Sequence, residues 1–171
     1  MSVDSGLYAS TIPPVPHGFS IFEVERMTDQ LHYMTITEIG DRYRDGSLSP
    51  VEVTEAQLAR IDKIDGRLRS YATVMAESAI SQARAAELEL RAGRERGPLH
   101  GVPVAVKDLC FTKGVRTMGG SAVFADHVPD FDSTVVAKFA DSGAVLLGKL
   151  NLTEGAMGGY NPKLHYPENP W

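Results

Sequence analysis

Cysteine is nearly absent from this chain. Cys110 is the only one, so no disulfide can form within it, which fits a reducing compartment. Long apolar runs are missing too: none approaches the roughly 20 residues that cross a bilayer, so no membrane partner is expected. The opening stretch has neither a basic start nor an apolar core, so no secretory signal is read and a cytoplasmic location is expected. The 17 Lys and Arg residues are scattered in a chain of net charge −5, which excludes the basic face of a nucleic-acid binder. His17, His32, His100, His127 and His165 show no metal-ligand spacing. What is present, 43% hydrophobic and 23% charged residues, is the composition of an ordinary soluble globular protein.

Met1 to Tyr33 mixes Ser, Pro and Gly without a period and reads as an N-terminal arm, mobile unless its aromatics Tyr8, Phe19 and Phe22 dock on something. Helical patterning begins beyond it. Thr37 with Ile39, Tyr43 and Leu48 predicts a short helix capped by Thr37 and stopped near Gly46. Ser49-Pro50 is a strong start signal for a second helix, whose Val51, Thr54, Leu58 and Ile61 share one face and which Gly66 ends. Tyr71 to Met75 reads as a strand. Ala79, Ala83, Ala86 and Leu90 predict another helix, ended by Gly93. Asp132 or Ser133 caps a helix carrying Val135, Val136, Phe139 and Ala140, and Ala144 to Leu147 is an apolar strand covered on both faces. Strand, helix and strand in this order define an α/β protein with at least partly parallel pairing.

The chain is organised around Gly97 to Asp108, GPLHGVPVAVKD. Val102, Val104, Ala105 and Val106 read as a buried strand that delivers Lys107 at its end. Lysine is rarely buried, so Lys107 there is either a structural counter-ion or a chemical tool; burial disfavours an ammonium, and a neutral lysine is a general base. Asp108 is expected to point to the other side of the strand. Val-Ala-Val-Lys matches the lysine strand of protein kinases, but no glycine loop of the right spacing precedes it. No glutamate lies between Glu95 and Glu154 to pair with it. Gly119-Gly120-Ser121 lacks the second glycine of a nucleophile elbow, since Val123 stands there, and reads as a tight turn whose hydroxyl bonds local backbone. Cys110 reads as a small buried apolar residue and His100 as a surface turn residue.

GPLHGVPVAVKDL, KGVRTMGGS, DSTVVAKFADSGAVLLGKLNLTEGAMG and NPW, in this order, resemble the opening half of the amidase signature family from about Met34 to Trp171. The resemblance implies an α/β fold, the N-terminal part of the amidase-signature architecture, with a mixed, largely parallel sheet covered by helices. The implied organisation is an arm over 1–33 and an amidase part over 34–171. It implies hydrolysis of carboxylic amides through an acyl-enzyme, with no metal or organic cofactor. Lys107 corresponds to the catalytic lysine, acting on a serine held by a cis peptide, which deprotonates the nucleophilic serine. Met157 and Gly158 fall where the family lines its acyl pocket, while Asn151 and Glu154 are expected to tie down that turn through local hydrogen bonds. The family places both serines and its oxyanion hole after Asn-Pro-Trp, so this chain is expected to be the first part of a longer enzyme, inactive alone. The expected partner is a small-molecule amide, and a homodimer is the oligomeric expectation. Two rivals stand beside this reading. One is the subunit of a glutamyl-tRNA amidotransferase that shares these motifs, and the other is a non-catalytic remnant that only binds a partner.

Overall fold

A computed structural model describes residues 31–171. The expected arm falls mostly on residues 1–30, outside the described ones. The unit Met34–Trp171 runs α1 (Ile36–Asp45), α2 (Pro50–Leu68), β1 (Tyr71–Val74), α3 (Ala76–Arg91), β2 (Pro103–Lys107), α4 (Thr134–Asp141) and β3 (Val145–Leu150).

The helix starts follow capping chemistry. α1 is capped by Thr35 rather than Thr37. The reason is reciprocity: the Thr35 amide donates to the Glu38 carboxylate at 2.7 Å, and the Glu38 amide donates back to the Thr35 hydroxyl. Thr37 has Gly40 at that offset, which offers no acceptor. α2 starts as read, with Ser49 and Glu52 forming the same reciprocal pair and Pro50 in the first turn. It ends at Leu68, beyond Gly66, because Asp65 secures the exit: its carboxylate accepts from the Ser70 and Tyr71 amides while Arg69 turns left-handed at φ 54°. Ser133 precedes α4, though its side chain makes no capping bond.

The sheet order is β1-β3-β2, with β3 parallel to β2 and antiparallel to β1. β3 is therefore central and covered on both faces. Val145 and Leu147 pack on Ala79 and Ala83 of α3, with Leu58 and Ile61 of α2 beside them. Leu146 packs with Val106 and with Val136 and Phe139 of α4. A fully buried aliphatic side chain such as Val145 contributes about 1.5–3 kcal/mol. Small alanines let α3 lie close to the strand. β1 is equally close, because a Cβ at Gly148 would stand 2.3 Å from the Thr73 carbonyl oxygen.

His100 is not the surface residue expected of it. It is buried, 3% exposed, because Gly143 leaves room for the imidazole where a Cβ would meet its ring at 2.4 Å. Its Nδ1 accepts from the Arg96 amide at 3.1 Å, and Nε2 lies 3.1 Å from Glu89 Oε2, which Arg96 also holds. Burial first, and Arg96 after it, push His100 below its usual 6.5 despite Glu89, so the folded state holds this proton less tightly than the unfolded chain.

Stability is therefore expected to fall as pH drops below 6.5. Glu89, held below 4.5 chiefly by its hydrogen bond from Arg96, loses its contribution only at lower pH. Urea midpoints of the wild type between pH 6.5 and about 5 should decline, and His100→Gln should flatten that slope. An unchanged slope in the variant contradicts the assignment.

Candidate active site

Lys107 closes β2, opposite Leu150 of β3, and its side chain is exposed. The expectation of a lysine desolvated at the mouth of a buried strand is not met by the described residues. The physical reason is the strand order: β2 is an edge strand with β3 on one side only, so nothing here covers its last residue.

The buried lysine is another one. Lys149 is 0% exposed, and it pairs with Asp108, 1% exposed, at 3.2 Å between Nζ and Oδ1. Nζ also donates to Thr117 Oγ1 at 2.7 Å, and the Thr117 hydroxyl donates to the Val115 carbonyl. The other carboxylate oxygen of Asp108 accepts from the Met118 amide at 2.9 Å. Burial pushes Lys149 below the ordinary lysine range, against the opposing pull of Asp108. Asp108 lies on the opposite side of the strand end from Lys107, one buried and the other exposed. Among the described residues no carboxylate forms an ion pair with Lys107.

Two loops meet at this carboxyl end of the sheet, the usual place for ligands in open α/β sheets. The first is tied to the strand by Gly119 N–H donating to the Asp108 carbonyl at 2.9 Å, and to β1 by Arg116 donating to the Ala72 carbonyl. The second, Asn151 to Gly159, docks on the first. Gly155 N–H donates to the Gly119 carbonyl at 2.8 Å, and a Cβ at Gly120 would meet the Leu152 and Thr153 carbonyls at 2.7 and 2.8 Å. Ser121 Oγ donates to Glu154 Oε1 at 2.6 Å, so its partner is a distant side chain and not the local backbone expected of it. Asn161 Nδ2 donates to the same Glu154 oxygen. Asn151 Nδ2 reaches back to the Arg69 carbonyl beyond α2, a long-range tie where a local one was expected. Met157, 94% exposed, and Gly158 stand on this second loop, two backbone hydrogen bonds from the residue after Lys107. Cys110 is half-buried beside Val106 and Leu146.

Sequence reasoning overlooked Lys149 and Thr117. A signal existed: a lysine inside the apolar run Ala144 to Leu150 must find a partner charge. Among the described residues no group of His, Cys, Asp and Glu could hold a metal ion, and no helix is long and apolar enough to cross a membrane.

The mixed, helix-covered sheet with glycine-rich loops at its carboxyl end is an α/β architecture, and solved amidases share it, an amidase family protein of Bacillus anthracis matching with a TM-score of 0.71 and 31% identity over 81% of this chain and 28% of that one. The family model described as Amidase matches residues 52–171, and the chain belongs to that family. It is 47% identical over 143 residues to the putative amidase AmiD of Mycobacterium tuberculosis, covering 84% of this chain and 30% of that one. It is 43% identical over 144 residues to a subunit of the glutamyl-tRNA(Gln) amidotransferase of Moorella thermoacetica, covering 83% and 30%. Among solved structures, the native peptide amidase of Stenotrophomonas maltophilia matches with a TM-score of 0.67 and 35% identity over 71% of this chain and 25% of that one. The chain thus spans under a third of the length of the curated relatives it matches.

Lys149→Met leaves the Asp108 carboxylate buried and unpaired, and the expected loss of stability in urea denaturation is about 3–5 kcal/mol. Adding Asp108→Asn, which keeps an acceptor for Met118 and removes the charge, should recover more than half of that loss. Additive losses would show that the two charges are not coupled.

Proposed function

We propose that this chain is the lysine-bearing, N-terminal part of an enzyme that hydrolyses carboxylic amides by a Ser-cisSer-Lys mechanism. Lys107 acts as base on a bridging serine, which takes the proton of a nucleophilic serine. The serine oxygen bonds to the amide carbonyl carbon, the C–N bond breaks with a proton delivered to the departing ammonia or amine, and water then cleaves the acyl ester. In the family resemblance both serines and the oxyanion hole follow Asn169-Pro170-Trp171, so the residues here supply the base and are inactive by themselves. Met157 and Gly158 line the acyl side of the pocket, no metal takes part, and the enzyme is cytoplasmic and acts on a small soluble amide. Two copies form a homodimer.

One observation carries this reading. The carboxylate next to Lys107 in the sequence is turned inward and neutralised by Lys149, so the Lys107 amine stands unclamped at the carboxyl end of β2, where the two loops converge. Amidase-named relatives at 47% and 35% identity support the reaction class. The amidotransferase relatives, at 43–46% identity, favour a second reading, in which this part belongs to a protein that passes ammonia to a partner acting on tRNA. Stable co-purification with a second protein chain selects that reading.

The test joins this chain to the remainder of the AmiD relative and follows ammonia release from small carboxamides. Lys107→Ala is expected to lower turnover by about 10²–10⁴, the effect of losing a general base. The unfused chain should release none. Near-normal turnover in the variant shows the lysine to be structural.

A further inference from the structure

The Asp108–Lys149 pair is buried on the other side of the strand end from the exposed Lys107 and takes no part in the proposed chemistry, yet its contacts lead to the substrate side. Asp108 touches the first loop three ways: through Lys149 to Thr117, through its carboxylate to the Met118 amide, and through its carbonyl to the Gly119 amide. Gly119 in turn accepts from Gly155, and Gly120 lies so close to the Leu152 and Thr153 carbonyls that no side chain fits between. Gly155 opens the turn that carries Met157 and Gly158, and the Gly158 amide donates to the Glu154 carbonyl at 3.1 Å. Each step in this series is an ion pair, a hydrogen bond or a close backbone approach.

We propose that Lys149, Asp108 and Thr117 are positioning residues that set the height of the Glu154–Gly158 turn above the carboxyl end of β2. The proposal rests on the reading of Met157 and Gly158 as the acyl side of the pocket and adds the device that places them. A buried charge pair suits this task because its geometry has one satisfied arrangement: any shift of the Thr117–Gly119 segment strips a buried ammonium or carboxylate of a partner. The second loop then inherits that position through Gly119 and Gly120. The base of that loop is also tied down, by the Asn151 side chain on the Arg69 carbonyl and by buried Leu152, but the turn itself has only exposed side-chain contacts, Ser121 and Asn161 on Glu154.

The experiment is amide hydrogen exchange on the chain as it stands, without substrate. Thr117→Val removes the hydroxyl that Nζ holds and leaves the ion pair in place. Exchange at Met118, Gly119 and Gly155 is expected to accelerate about ten- to a hundred-fold, while Val53 in α2 and Ala79 in α3 keep their wild-type rates. Thr117→Ser, which restores the hydroxyl, should restore protection at Gly155. Unchanged exchange at Gly155 overturns the proposal, and so does equal acceleration at Val53 and Ala79, which would mark the pair as a general fold element. Should Thr117→Val not fold, Asp108→Asn, which retains Met118's acceptor, is read at the same amides with the same two outcomes. Because no substrate is present, a negative result leaves the amidase reading untouched, and loss of that reading leaves the coupling measurable.

Discussion

Two full charges without access to water, Asp108 and Lys149, are the constraint on which the carboxyl end of this sheet depends. Removing either ion from water is costly, and only a complete set of partners offsets it. The two charges are brought together through a register irregularity. β2 and β3 pair in step at Pro103–Val145 and Val104–Leu146, then Ala105 pairs with Gly148, leaving Leu147 as an extra residue on β3. Had the pairing continued in step through Leu147, Lys107 would stand opposite Lys149, two ammonium groups side by side on neighbouring strands. With it, Lys149 faces Val106 and reaches Asp108, while Lys107 faces Leu150 and stays outside. The bulge sorts two nearly equivalent lysines into one buried and structural, one exposed and available.

The parallel pair is clipped at its other end as well. Val145 N–H donates to the Val102 carbonyl and Gly101 N–H to the Gly143 carbonyl, with His100 seated where Gly143 has no side chain. Tyr43 adds a hydrogen bond from its hydroxyl to the Gly101 carbonyl, and burial raises that phenol above its ordinary range. Both ends thus use buried polar groups, and the two glycine-rich loops stand at the carboxyl end. The amino end is occupied by α1, α3 and the Gly93–Gly101 turn through Tyr43, Glu89 and Arg96. His100, the titrating group of this end, thus stands at the opposite end of the strands from Lys107.

Much of this is legible in the sequence where the signal is local. Ser49, Pro50 and Glu52 declare the start of α2 within four residues, and the valines before Lys107 declare a strand. The fold class and family follow from motifs that each lie within one short stretch. What escapes reading is long-range. Lys149 meets Thr117 across 32 residues, Ser121 meets Glu154 across 33, and Tyr43 meets Gly101 across 58. Periodicity says which face of an element is apolar, but it does not say which buried polar groups will find each other. The start of α1 fails for a smaller reason. Thr37 reads as the cap only while the carboxylate that completes a capping box is left out of account, and Glu38 supplies that carboxylate to Thr35.

The exposure of Lys107 bears on how such a base comes to act. A lysine works as a base when its surroundings disfavour the ammonium, which needs burial or a neighbouring cation and the absence of a clamping carboxylate. The described residues meet the last condition, by giving Asp108 to Lys149, and leave the first to whatever covers the free edge of β2. The division has a physical logic. Burying Lys107 within this part would add an uncompensated charge beside a pair that is already costly. In the proposed mechanism, desolvation of Lys107 is then a step apart from the burial of the Asp108–Lys149 pair, and the two meet only at the last residue of one edge strand.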